Sequence, residues 1–304
     1  MKNILLCGLM VMLLATGCSS GSDNADNETA ATLEVPYVVL NDGHRMPVLG
    51  LGTWTQDNDT AEESVYTAIK CGYRLIDTAR YYGNEAGVGR GVRRAMDEGI
   101  ITREDIFITS KIVPGSYADY DELIAQSNRT LGLGYIDLML IHQPGYREKE
   151  LYRALERAVK NGTVKSLGIS NYYTPEEFRA ITEGAKIMPV IVQNENHICY
   201  QNTDLQKYLE PFGVIIESWY PFGGRGHVRE VLNDAVIGKI ARDHGKSAAQ
   251  VILRWHIQAG YVVIPGSSSP EHIAENIDVF GFELTDEEMN IIAGLNQGRR
   301  FENW

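Results

Sequence analysis

Residues 136–171 read IDLMLIHQPGYREKELYRALERAVKNGTVKSLGISN and contain one complete repeat of the architecture. Ile136–Ile141 is a short apolar run that breaks at His142-Gln143-Pro144. Leu151–Lys160 carries apolar residues at helical spacing, and Ser166–Ile169 is a second apolar run that ends at Ser170-Asn171. Strand, helix, strand at this spacing marks two parallel strands joined by a crossover. Working outward, the same alternation gives strands near Leu49–Gly52, Arg74–Asp77, Ile106–Ser110, Val190–Val192, Val214–Glu217 and Val262–Ile264, eight in all. Further helical windows lie at Ala61–Lys70, Tyr120–Thr130 and Pro175–Glu183. Eight β-α units with no long interruption predict an α/β chain closed into a (β/α)8 TIM barrel rather than an open sheet. Ahead of it, Tyr37–Leu40 and Arg45–Val48 flank Asn41-Asp42-Gly43, which predicts an N-terminal β-hairpin whose Asp-Gly pair supplies the positive-φ turn.

Composition agrees with one globular catalytic domain. Of 304 residues, 44% are hydrophobic and 22% charged, which argues against disorder and against a multi-span membrane protein. A net charge of −12 argues against binding to a nucleic-acid backbone. A monomer is expected. Residues 1–17 read as a processing signal: Lys2 is the positive end, Ile4 to Leu14 the apolar stretch, and Ala15-Thr16-Gly17 the small residues before Cys18. Leu14-Ala15-Thr16-Gly17-Cys18 resembles the bacterial lipobox, which implies lipidation at Cys18 and a membrane-anchored lipoprotein of the cell envelope. Residues 18–34, rich in Ser, Gly, Asp, Asn and Ala, read as a flexible tether, and residues 35–304 as the barrel. Cys71 and Cys199 alone remain in the body, too far apart in sequence for a disulfide framework or a zinc site.

In this fold chemistry gathers where strands end and βα loops converge. Asp77 closes one strand and Tyr82 follows five residues later, Lys111 closes the next, and His142 the one after. Each is ordinary alone: Asp77 could be a loop acceptor, Tyr82 a packed aromatic, Lys111 a charged strand end, His142 a core histidine. Together they define a proton-transfer site. An adjacent ammonium lowers the pKa of a tyrosine, so Lys111 is expected to acidify Tyr82, with Asp77 holding Lys111 charged. His142 is expected to position a substrate oxygen as a neutral imidazole. No Gly-x-Gly-x-x-Gly lies between a strand and a helix; Gly83, Gly87, Gly89 and Gly91 have the wrong spacing for a Rossmann site.

Those residues, with Leu49-Gly50-Leu51-Gly52-Thr53-Trp54, Thr109-Ser110-Lys111, Leu140 to Pro144, Gly168-Ile169-Ser170-Asn171 and Asn276 to Glu288, resemble the aldo-keto reductases, in particular the bacterial 2,5-diketo-gluconate reductase type. The resemblance runs from Val38 to the end. It implies an NAD(P)H-dependent oxidoreductase of the CH-OH class that reduces small aldehydes or ketones to alcohols, with Asp77, Tyr82, Lys111 and His142 as catalytic tetrad and Tyr82 as general acid. By the same resemblance Ser170, Asn171 and Gln193 hydrogen-bond the nicotinamide amide, and Gly52 and Thr53 contact the cofactor. Trp219 stacks on its ring, and Pro221 and Gly223 belong to the same stretch. Gly223 to Gly226 admits the pyrophosphate, with Arg225 as charge partner, and Glu275 and Asn276 contact adenine. Trp54 and His142 face the substrate.

The departures are informative too. Where the family has Pro-Lys-Ser followed by an Arg, this chain has Pro265-Gly266-Ser267 and His272, so both cations for the 2′-phosphate of NADPH are missing. Ser267, Ser268 and a charged His272 remain, which leaves NADPH only slightly ahead of NADH. Val113 replaces a common pocket tryptophan and the tail after Gly298 is short, both pointing to an open pocket. Two other readings compete. A metal-dependent hydrolase lacks paired ligands, and no metal is expected. A non-catalytic nicotinamide-binding regulatory subunit with the same fold would have no need of an intact tetrad.

Overall fold

The computed structural model describes residues 35–115 and 119–302. The expected signal and tether lie outside the described residues. Among the described residues ten strands occur in chain order: β1 Tyr37–Val39, β2 Arg45–Pro47, β3 Leu51–Gly52, β4 Leu75–Asp77, β5 Phe107–Ile112, β6 Ile136–Ile141, β7 Val164–Ser170, β8 Ile191–Glu195, β9 Ile215–Trp219 and β10 Val262–Val263. The helices are α1 Asn58–Lys70, α2 Glu85–Asp97, α3 Tyr120–Leu131, α4 Glu148–Asn161, α5 Pro175–Thr182, α6 Thr203–Leu209, α7 Val228–Leu232, α8 Ala235–His244, α9 Ala248–Gln258, α10 Pro270–Ile277 and α11 Asp286–Ala293. Sequence chemistry sets their starts: Asp57 caps α1 by accepting the Thr60 N–H, and capping boxes Thr174/Glu177, Ser247/Gln250 and Thr285/Glu288 open α5, α9 and α11.

β3 to β10 pair in parallel, each with its chain neighbour. The two outer strands then meet. Leu49 bridges Val263 and Gly52 bridges Gly266, with Gly50 N–H to Val263 O at 2.9 Å and Gly52 N–H to Pro265 O at 3.1 Å, so the sheet closes into the expected barrel. The hairpin of β1 and β2 is present and antiparallel. Its turn differs from the expectation: Leu40 N–H bonds His44 O, leaving a three-residue loop in which Gly43 alone takes positive φ, at 91°. That is a type I turn completed by a left-handed glycine, which needs no positive φ at Asp42. Leu40 and Met46 of the hairpin plug the bottom of the barrel against Leu75, Phe107, Leu138 and Ile191.

Two layers of apolar core follow from strand alternation. Outward residues such as Ile76, Ile108, Met139, Ile169, Val192 and Val263 pack under the helices. Inward ones change character along the barrel: Leu75, Phe107, Leu138, Leu140 and Ile191 fill the lower half, and the next inward positions are Asp77, Lys111, Gln193 and Glu217. Polar chemistry is therefore concentrated in the upper layer. Three of the glycines that mimicked a dinucleotide loop, Gly87, Gly89 and Gly91, have a packing role, since they lie on α2. A Cβ on Gly87 would come 2.0 Å from Asn58 O at the start of α1, and one on Gly89 2.0 Å from Leu131 O at the end of α3.

Candidate active site

The buried cation of the upper layer is Lys111, on β5. Its three N–H donors reach Asp77 Oδ1 at 2.5 Å, Thr78 O at 2.9 Å and the Tyr82 hydroxyl at 3.1 Å. Asp77 ends β4, and its Oδ2 accepts from Gln193 Nε2 at 2.8 Å. Tyr82 follows in a single 3-10 turn, Arg80–Tyr82, closed by Gly83 at φ 72°. That turn carries the phenol back over the end of β5. Tyr82 packs on Trp54, ring centroids 4.6 Å apart, and edge-on against His142 at 5.5 Å.

Electrostatics follow from burial. It disfavours the ammonium of Lys111, but the Asp77 carboxylate and Tyr82 outweigh this and hold the group at about 12. Burial likewise raises Asp77, and the Lys111 charge opposes it. With Nζ at 2.5 Å the two are held as carboxylate and ammonium. Tyr82 departs from expectation: burial pushes its pKa up, and Lys111 only moderates the rise. The expected net lowering is corrected, because desolvation of a buried phenolate exceeds the pull of one ammonium already shared with Asp77. His142 is depressed to about 3 by burial and then by the Lys111 charge, which leaves a neutral imidazole.

A cavity of about 740 Å³ opens above this group. Of the expected residues, Asp77, Tyr82, His142, Trp54, Gly52, Ser170, Asn171, Gln193, Trp219, Pro221, Ser267 and Ser268 line it, together with Val113, Gly224, Arg225 and Gly226. Lys111 and Thr53 lie just behind the wall, Thr53 bonding Asp77 O through both N–H and Oγ. Gly223 is packed under Val231, His227 and Phe301, and His272, Glu275 and Asn276 sit on α10 outside the lining. Thr55, Gln56, Tyr81 and Tyr220, to which the sequence pattern assigns no role, also line the wall, as does Phe222. Thr55, Asn171 and Tyr220 have φ of 73°, 66° and 53°, and left-handed non-glycine backbone of this kind gathers at functional sites. A signal for Glu217 was present in the period-two alternation Ile215, Glu217, Trp219, which puts it on the inner face of β9.

The residues fit a nicotinamide dinucleotide. At one end the Trp219 indole N–H is buried with no partner among the described residues, beside the polar groups of Ser170, Asn171 and Gln193. At the other end a Cβ on Gly266 would sit 3.2 Å from Gly52 O, so two bare backbones form a cradle next to Ser267 and Ser268. Comparison with known proteins agrees. Residues 48–297 match the sequence model of the Aldo/keto reductase family. The chain is 36% identical to the NAD(P)H-dependent D-xylose reductase I,II of Candida tropicalis, over 90% of this chain and 96% of that one. It is 40% identical to the 9,11-endoperoxide prostaglandin H2 reductase of Trypanosoma cruzi, over 86% and 92%. A Bombyx mori aldo-keto reductase solved in complex with NADP superposes with a TM-score of 0.83 at 31% identity, covering 89% of this chain and 96% of that structure.

The neutral His142 makes a testable contribution to stability. From its ordinary 6.5 down to about 3, the unfolded chain binds a proton at this position that the native site refuses. Native stability is therefore lost as pH falls through that window. Thermal unfolding of His142→Asn should show a shallower loss than the unsubstituted protein between pH 6.5 and about 4. Equal slopes would show that His142 accepts its proton in the folded state.

Proposed function

The chain belongs to the aldo/keto reductase family, and we propose that within it Tyr82 is the general acid of a reductase turning small aldehydes and ketones into alcohols. NAD(P)H-dependent carbonyl reduction is the family's activity and NADPH, with NADH possible, its cofactor. The observation that carries the role of Tyr82 is its hydroxyl 3.1 Å from Lys111 Nζ on the floor of the cavity. When bound, the reduced nicotinamide supplies the hydride. Tyr82, kept protonated by burial, gives its proton to the substrate oxygen. Lys111 stabilises the phenolate left behind, and Asp77 and Thr78 O hold Lys111 in place. His142, uncharged, orients the oxygen by a hydrogen bond without competing for the proton. Trp54 and Tyr81 form the aromatic wall for the substrate, and Val113 leaves that wall low. An open entrance of this kind supports broad use of small carbonyl compounds, and the resemblance of the motifs supports the 2,5-diketo-gluconate reductase type.

Tyr82→Phe should keep cofactor affinity and lose about 10²–10⁴-fold in kcat, the worth of a positioned acid. Near-normal turnover would remove Tyr82 from the mechanism.

For the cofactor we propose weak discrimination. Charge-assisted bonds to a 2′-phosphate are worth roughly 1.5–3 kcal/mol each, and Gly266 and His272 stand where two cations would act. The unsubstituted enzyme should use NADPH and NADH within about tenfold in kcat/KM. Gly266 is not in the left-handed region, and its Cβ needs only a few tenths of an ångström from Gly52 O. Gly266→Lys with His272→Arg should shift the enzyme strongly to NADPH. A thousandfold NADPH preference before substitution would refute this reading of the loop.

We also propose that the barrel is monomeric and is tethered at the cell envelope through a lipid on Cys18, on the strength of the lipobox-like Leu14 to Cys18 and the polar stretch that follows. A clickable fatty-acid analogue supplied to expressing cells should label the full chain and not Cys18→Ser. Equal labelling of both, or of neither, would overturn the anchor.

A further inference from the structure

Below Trp219 on the inner face of β9 lies Glu217, a fully buried carboxyl in the barrel interior. Its Oε2 accepts from Gln193 Nε2 at 2.8 Å, and the same nitrogen donates to Asp77 Oδ2 at 2.8 Å. An amide nitrogen has two hydrogens, so both are spent on these carboxyl groups. We infer that Glu217 is a positioning residue for the nicotinamide: by sharing the Gln193 amino group with Asp77, it turns that side chain so that the oxygen, and not the N–H2, is presented to the cavity. The inference rests on the cofactor reading above and adds the atom by which the carboxamide is recognised, an acceptor for its N–H2.

Three observations support it. The reversed amide would set the Gln193 oxygen against the Asp77 carboxylate and abandon the hydrogen bond to it, so the chemistry of the pair fixes the orientation. Glu217 Oε1 has no partner among the described residues. A carboxyl buried at this cost, where a leucine would fill the space, has a polar duty. The groups facing Glu217 agree. Asp77 on β4 and Lys111 on β5 are its charged neighbours, Gln193 on β8 its hydrogen-bond partner, and β10 offers Val262, paired with Glu217 in register. Burial first and the Asp77 anion second raise Glu217 to about 8. At neutral pH it is therefore an uncharged acceptor that leaves the Lys111–Asp77 balance intact.

Two ligands read the orientation directly: NADP⁺, and its 3-acetylpyridine analogue, in which a methyl replaces the carboxamide amino group. Equilibrium Kd values come from quenching of tryptophan fluorescence and require no turnover. The unsubstituted protein should bind NADP⁺ about tenfold tighter than the analogue, because only the carboxamide can donate to Gln193 Oε1. Glu217→Met frees one amide hydrogen and lets the side chain rotate. NADP⁺ should weaken by about tenfold and the preference shrink to about twofold or less. Glu217→Gln, whose oxygen can still accept from Gln193, should restore the preference. A merely structural glutamate would weaken both ligands alike and leave their ratio unchanged, which would overturn the inference. Should Glu217→Met fail to fold, the unsubstituted protein still decides: equal affinity for the two ligands means that the Gln193 oxygen is not what reads the carboxamide. Failure to bind either ligand would instead defeat the cofactor reading itself.

Discussion

Everything in the upper half of this barrel depends on one ammonium removed from water. Lys111 is 1% exposed, and an isolated charge at that depth would be prohibitively unstable. Its three donors each have an acceptor, one of them a carboxylate, and this complete satisfaction keeps the charge where it is. The carboxylate in turn needs donors, and Gln193 supplies one while binding Glu217 on its other side. A single buried cation thus orders residues from β4, β5, β8 and β9 into one network, with the Tyr82 hydroxyl as its exit toward the cavity.

The barrel makes that network possible by separating two tasks along one axis. Below, hairpin residues Leu40 and Met46 seal an apolar plug against the lower strand positions, which adds to the apolar layer under the helices in stabilising the fold. Above, the same inward alternation delivers polar groups whose burial opposes stability and whose arrangement serves chemistry. Gly168 lies between the halves: a Cβ there would come 2.6 Å from Leu140 Cδ2 and 2.8 Å from Ile191 O, so the missing side chain gives the plug room to pack. Left-handed Thr55, Asn171 and Tyr220 occur at the top, where chain leaving a strand must turn sharply across the cavity.

Much of this was legible in residue order. The eight strands fall where short apolar runs stop at polar residues, and β6 has the expected limits, Ile136–Ile141. The meeting of Asp77, Lys111 and His142 was legible because strand ends converge in a closed parallel barrel, which makes them neighbours despite their separation in sequence. The direction of the Tyr82 shift was not legible, because burial and the Lys111 charge act on the phenol in opposite directions. Lys111 could be read from the sequence, whereas the degree of enclosure of the phenol could not. The loop residues of the cavity wall, Gln56 and Tyr220 among them, carry no periodic signal, and their placement comes from hydrogen bonds such as Gln56 Nε2 to Ser267 O, 211 residues apart.

By itself the sequence determined the alternation of strand and helix, the chain positions at which chemistry could gather, and the family. Those are properties of local pattern, which a period of two or of 3.6 carries without any knowledge of what lies opposite. Tertiary structure decided which of the inward polar residues share a proton network. Glu217 shows the reason most clearly. In the chain it is one acidic residue in an apolar strand, and only closure of the barrel places its carboxyl 2.8 Å from the amide nitrogen that also holds Asp77. Burial then raises its pKa to about 8, because the low-dielectric interior and a neighbouring anion act only once the strands have met.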